Sequence, residues 1–136
     1  MRFPALLSAS LLVALSAASA GAQNQPAAAP SPLKRTVLSQ RASTIPGFDG
    51  VVVKAELAPN GDAPRHTHPG EEYGYVLEGE VTFEIQGQAP IQLKAGDAFY
   101  IPPNTPHVAH NRGSVSWKAI STYIVQSGKP LATPAP

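Results

Sequence analysis

Glu80-Val81-Thr82-Phe83-Glu84-Ile85-Gln86 alternates polar and apolar side chains with a period of two. A β-strand sends successive side chains to opposite faces, so Val81, Phe83 and Ile85 share one face and Thr82, Glu84 and Gln86 the other. This is the pattern of a strand with one buried side. Upstream, Val51, Val53, Ala55 and Leu57 alternate in the same way. Downstream, Ile91-Gln92-Leu93, residues 98–101 and the run from Val115 to Val125 continue it. The last run carries Trp117, Ile120, Tyr123 and Ile124, and its apolar residues on both faces predict burial on both. Turn-forming residues separate the runs: Pro59-Asn60-Gly61, Pro69-Gly70, Gly79, Gly87, Ala95-Gly96-Asp97 and Pro102-Pro103-Asn104. No stretch shows a convincing amphipathic helical period, and 15 prolines with 11 glycines argue against a helical bundle. Many short strands at regular spacing predict an all-β sandwich or barrel.

The chain has 136 residues, the length of one domain. Its formal net charge is +1, so no basic excess exists to attract phosphates, and a nucleic-acid partner is not expected. It contains no cysteine, which excludes disulfide scaffolds, cysteine-ligated metal clusters and thiol nucleophiles. No Gly-x-Ser-x-Gly elbow supports a serine hydrolase.

The two ends read differently from the middle. Arg2, the apolar run around Leu11-Leu12-Val13-Ala14-Leu15, and the small residues Ala18-Ser19-Ala20-Gly21-Ala22 form the pattern of a secretory signal peptide. Cleavage is expected after Ala20 or Ala22, giving a periplasmic or secreted protein. No stable membrane insertion is expected after cleavage, because the apolar run is short and interrupted. Residues 23–32 read as a disordered linker and residues 127–136 as a disordered tail, both rich in proline and poor in large apolar side chains. The barrel domain is therefore assigned to residues 33–126.

The chemistry concentrates in the middle. His66 and His68 are two apart, so on a strand both imidazoles reach toward one point. Glu72 follows just beyond the Pro69-Gly70 turn, and His107 arrives on a later strand after Pro106. Three imidazoles and a carboxylate suit a divalent first-row metal and leave coordination positions open. The alternative is a pair of exposed loop histidines with no metal. His110 falls out of parity with His107, and Glu71 out of parity with Glu72, so both are expected to face away. Gly74 and Ala109 share the face of the metal set and are small, which predicts room for a substrate beside it.

These residues resemble the two motifs of the cupin superfamily. The first runs Gly, five residues, His-x-His, three or four residues, Glu, six residues, Gly. Here Gly61, His66, His68, Glu72 and Gly79 follow it, with an opening gap of four residues instead of five. The second runs Gly, five residues, Pro-x-Gly, two residues, His, three residues, Asn. Gly96, Pro102, His107 and Asn111 fall in register, and Asn104 stands where the second motif has Gly. Asn tolerates a left-handed backbone, so that turn can survive. The resemblance implies a single jelly-roll-like β-barrel with His66, His68, Glu72 and His107 as ligands of a divalent transition metal (Fe, Mn, Ni, Cu or Zn). Asn111 is expected to be structural, and Gly79 and Gly96 to be turn residues.

The fold hosts many chemistries, so function must come from the site. The expected function is an exported metal-binding protein. It could be a dioxygenase-like or isomerase-like enzyme on a small oxygen-rich substrate, or a non-catalytic binder of metal or small ligands. A third alternative is a cupin whose metal only stabilises the barrel. No general base is evident beyond the metal set. A homodimer is expected, with Thr36-Val37-Leu38 adding to a neighbour's sheet edge.

Overall fold

A computed structural model describes residues 32–136. The expected signal peptide at residues 1–22, and all of the expected linker except Pro32, lie outside the described residues. The described chain contains ten strands and no helix. In order they are β1 (Leu33–Ala42), β2 (Phe48–Leu57), β3 (Asp62–Thr67), β4 (Gly70–Glu78), β5 (Glu80–Ile85), β6 (Ile91–Lys94), β7 (Ala98–Ile101), β8 (His107–His110), β9 (Trp117–Gln126) and β10 (Thr133–Pro134).

They form two five-stranded sheets, ordered β1-β2-β9-β4-β7 and β10-β3-β8-β5-β6. Every pair is antiparallel. The alternation read from sequence is the reason the sheets pack. Ala55 and Leu57 of β2 and Val76 of β4 meet Val81, Phe83 and Ile85 of β5 in one buried core. Phe83 and Phe99 stack at 4.9 Å between ring centroids, and Trp117 meets Phe83 edge-on at 5.9 Å. Aromatic pairs at these separations add to the burial of their area.

Three expectations change. β9 alternates strictly: Trp117, Ala119, Ser121, Tyr123 and Val125 are buried, while Lys118, Ile120, Thr122 and Ile124 are half-buried on the other face. One side of the strand thus packs in the core and the other lies in the outer surface of the sheet. Next, the space at Gly74 is not open, because a Cβ there would overlap the Phe99 ring. Glycine is needed for that close approach and leaves no room for a substrate. Finally, the segment 127–136 is structured. Its β10 pairs with β3, with Thr133 opposite Thr67 and Pro134 opposite His66. Leu131 packs against the cluster of Val51, Val53, Tyr123 and Val125. Proline is tolerated there because β10 is an edge strand.

Asn104 has φ of 54°, so asparagine does occupy the left-handed turn position where the motif has glycine. Asn111 is fully buried and closes the end of the barrel. Its Nδ2 donates toward the carbonyls of Leu57, Ala58 and Val115, and its Oδ1 accepts from the Gly113 N–H.

A candidate metal centre

His66 lies on β3, His68 just beyond it, and His107 opens β8, its neighbour in the sheet. β3 and β8 pair with His66 directly opposite His107, which brings those two rings to 4.2 Å between centroids. His68 is 4.8 Å from His66 and 5.1 Å from His107 on the same measure. All three are buried, and one ligand atom from each falls within 4.8 Å of the others. His66 and His68 are therefore not exposed, contrary to the alternative reading.

The backbone fixes which nitrogen of each ring is free. His66 Nδ1 donates to the Pro64 carbonyl at 2.6 Å, His68 Nδ1 to the Leu131 carbonyl at 2.6 Å, and His107 Nδ1 to the Thr105 carbonyl at 2.9 Å. A carbonyl can only accept, so each Nδ1 carries hydrogen and each Nε2 of the neutral ring presents a lone pair. Holding one imidazole nitrogen in this way is how proteins orient metal-ligating histidines.

Glu72, on β4 in the opposite sheet, lies outside that three-histidine cluster but beside two of its members. Its Oε1 accepts from Ser121 Oγ at 2.7 Å and Tyr123 Oη at 2.9 Å. Its Oε2 is left facing His68 Nε2 at 3.1 Å and His107 Nε2 at 3.9 Å. His68 Nε2 is buried and has no hydrogen-bond partner. Two acceptors so close and out of water need a proton or a cation between them. A donor set of three Nε2 lone pairs and a carboxylate oxygen fits a divalent transition metal, on the chemistry of the ligands alone.

Burial favours the neutral, metal-ready form of two of the three rings. Burial, and after it the charge of His107, pushes His66 from 6.5 down to about 4. Burial likewise lowers His107, outweighing its bond to the Thr105 carbonyl. Burial acts to raise the Glu72 carboxyl, but the hydrogen bond and charge of His68, present when a proton sits between the two, and after them the Ser121 hydroxyl, hold it below its usual value. Tyr123 is driven far up, first by burial and then by the adjacent Glu72 charge, so its hydroxyl stays a donor.

His110 and Glu71 face away, as parity predicted. His110 Nδ1 lies 2.6 Å from Asp62 Oδ1 on the outer surface. Glu71 accepts from Tyr73 and Tyr100 on the outer face of β4 and β7.

Other contributors escaped the sequence reading. Ser121 is a small polar residue at an inward position of an otherwise largely apolar strand, a signal that was available. Leu131 acts through its backbone carbonyl, which no side-chain pattern announces. Arg35, on β1, donates from Nη2 to His66 Nε2 at 2.8 Å across 31 residues of sequence.

The profile of the cupin domain family matches residues 53–123. A 3-hydroxyanthranilate 3,4-dioxygenase of Xanthomonas euvesicatoria is 32% identical over 62 residues, covering 43% of this chain and 35% of that protein. Germin-like protein subfamily 3 member 1 of Arabidopsis thaliana is 33% identical over 90 residues, covering 60% of this chain and 43% of that protein. The chain thus spans less than half the length of these curated relatives. Among solved structures, a protein with a double-stranded β-helix domain from Klebsiella pneumoniae has a TM-score of 0.63 at 25% identity, covering 77% of this chain and 88% of that one. Recombinant oxalate oxidase in complex with glycolate has a TM-score of 0.62 at 23% identity, covering 79% of this chain and 57% of that one, a likeness of fold. The segment matched by the family profile runs from β2 to β9 and contains His66, His68, Glu72 and His107, and the chain belongs to the cupin family.

Proposed function

We propose that this chain is an exported cupin enzyme that holds a divalent transition metal on His66, His68, Glu72 and His107 and acts in dioxygenase-like fashion on a small oxygen-rich substrate. The observation that carries the reading is the buried cluster of His66, His68 and His107, with Glu72 Oε2 beside His68 and His107 and His68 Nε2 left without a hydrogen-bond partner. A bound metal ion would supply Lewis-acid polarisation of a ligating oxygen, and iron would add dioxygen chemistry. The chain's own residues supply the rest. The carbonyls of Pro64, Thr105 and Leu131 aim the rings. Ser121 and Tyr123 hold Glu72 ionised and oriented. Buried Phe83 and Ile101 belong to the main apolar core, and Val53 packs in the cluster that contains Tyr123. The dioxygenase among the relatives supports an oxidative reaction over an isomerase-like one.

A non-catalytic binding role is the second reading, and one observation favours it. The hydroxyls of Ser121 and Tyr123 are both committed to Glu72, and burial keeps Tyr123 protonated. Neither is free to move a substrate proton.

The test is oxygen uptake by protein loaded separately with iron, manganese, nickel, copper or zinc, against a panel of diphenols and flavonoids. The enzyme reading expects uptake with at least one pair and none after His68→Ala. Tight metal binding with no turnover across the panel supports the binding reading. Export is tested by N-terminal sequencing of protein from the native host. A chain starting at residue 21 or 23 agrees with it, and a soluble cytoplasmic chain starting at Met1 contradicts it.

A further inference from the structure

Arg35 stands on β1, the edge strand of its sheet, directly opposite Ala55 of β2. Directly opposed residues of an antiparallel pair project to the same face. Ala55 is buried in the core, so Arg35 is aimed into the barrel mouth while remaining solvent-exposed. Its Nη2 donates to His66 Nε2 at 2.8 Å. That is a weak use of the residue. A guanidinium offers five donors in a planar fork shaped for carboxylate oxygens, and a neutral imidazole accepts only one. Among the described residues Arg35 forms no ion pair with a carboxylate.

His66 Nε2 is also the lone pair that a metal would take. The guanidinium and a metal ion cannot share it, so metal binding frees the fork. It stays tethered at the mouth, next to a divalent ion offset by a single carboxylate. Two adjacent positive centres favour one anionic ligand that touches both. There is space for the rest of such a molecule. A cavity of about 370 Å³ is lined by apolar Val37, Val51, Val125 and Leu131 and by polar residues that include Asp49 and Lys129. Val37 is opposite Val53, which puts it on the Arg35 face of β1, and the Leu131 carbonyl holds His68. Leu131 thus connects the cavity to the histidine cluster, and Val37, Val51, Val125 and Leu131 give it an apolar side.

We propose that Arg35 is a specificity-determining residue that binds the carboxylate of a small, partly apolar acid whose polar end lies at the metal. The inference rests on the metal reading given above and narrows its substrate class from oxygen-rich molecules to carboxylates.

The test uses cobalt(II)-loaded protein, with the visible absorption of the cobalt as readout, titrated with benzoate and separately with its neutral isostere benzamide. Cobalt content is measured first on wild type, Arg35→Gln and Arg35→Lys. At saturating cobalt it should be equal in all three, since Arg35 competes for His66 Nε2 without being a ligand. Benzoate should shift the wild-type spectrum saturably and benzamide should not. Arg35→Gln should need about tenfold more benzoate or greater, the scale expected for losing a charge-assisted bidentate contact. Arg35→Lys keeps charge without the fork and should fall between. Wild-type affinity for benzoate in the folded Gln or Lys variant, or equal binding of benzamide, overturns the proposal. If wild type retains no cobalt after dialysis, the metal reading fails and this inference falls with it. Retained cobalt with Arg35-independent binding refutes this inference alone.

Discussion

His66, His68, Glu72 and His107 are each held by a second group: three by backbone carbonyls and Glu72 by two hydroxyls. Asn111 does for the barrel end what those bonds do for the metal centre. Its amide serves three carbonyls and one N–H in complete burial, so Asn111→Asp would set a carboxylate against carbonyl oxygens. The expected loss is about 3 kcal/mol or more, read as a lower urea midpoint, since an unpaired buried charge is among the costliest lesions. The buried imidazoles make a pH prediction for the metal-free protein. An unfolded chain takes protons on histidine near 6.5, whereas folded His66 takes one only at about 4. The unfolded state thus binds more protons between those values, and stability falls as pH drops through that window. Glu72, lowered in the fold, adds stability above its unfolded value that is also lost on acidification. Urea midpoints in chelator-treated protein should be lower at pH 5 than at pH 7.5. His66→Ala should flatten part of that slope, and equal midpoints in wild type would contradict the electrostatic reading.

β3, β4 and β8 carry three of the four proposed ligands, His68 follows β3 directly, and β10 pairs with β3. The C-terminal segment does more than cover an edge, because the Leu131 carbonyl orients His68 and Arg65 Nε donates to the Pro136 carbonyl. Removing residues 129–136 should leave the two main sheets folded yet weaken metal binding by roughly 10- to 100-fold, the usual effect of losing a partner behind a metal ligand. Competition with a chromogenic chelator measures it, and unchanged affinity would show that Leu131 is dispensable. These elements were unequally legible in the sequence. Period-two alternation revealed β2 and β5, and the parity of His66, His68 and Glu72 gave their common face, because both depend only on local backbone geometry. The ordered tail was not legible: its prolines carry the composition of a tether, and only pairing with β3 and the Leu131 contact show otherwise. Gly74 misled for the same reason, since the ring that fills its space comes from Phe99 on another strand. Arg35 reaches His66 through β1–β2 pairing, a long-range relation that carries no local signature.

At the scale of the barrel, the sheet β1-β2-β9-β4-β7 ends, among the described residues, at the edge strands β1 and β7. β1 exposes Val37 and Leu38 at 55% and 54%, large apolar side chains on a strand edge that invites pairing. We expect a homodimer joined through β1, and sedimentation at micromolar concentration should give twice the chain mass. A monomer under those conditions would contradict it, and Leu38→Lys should shift a genuine dimer toward monomer. Barrel, tail and edge all serve one centre, whose composition is open to measurement by metal analysis. After overnight dialysis of protein exposed to zinc, wild type, His110→Ala and Glu71→Gln should each retain close to one ion per chain. His68→Ala should lose most of it, and Glu72→Gln should retain clearly less than Glu71→Gln. A full site in Glu72→Gln beside an empty one in Glu71→Gln or His110→Ala would contradict the assignment of His66, His68, Glu72 and His107.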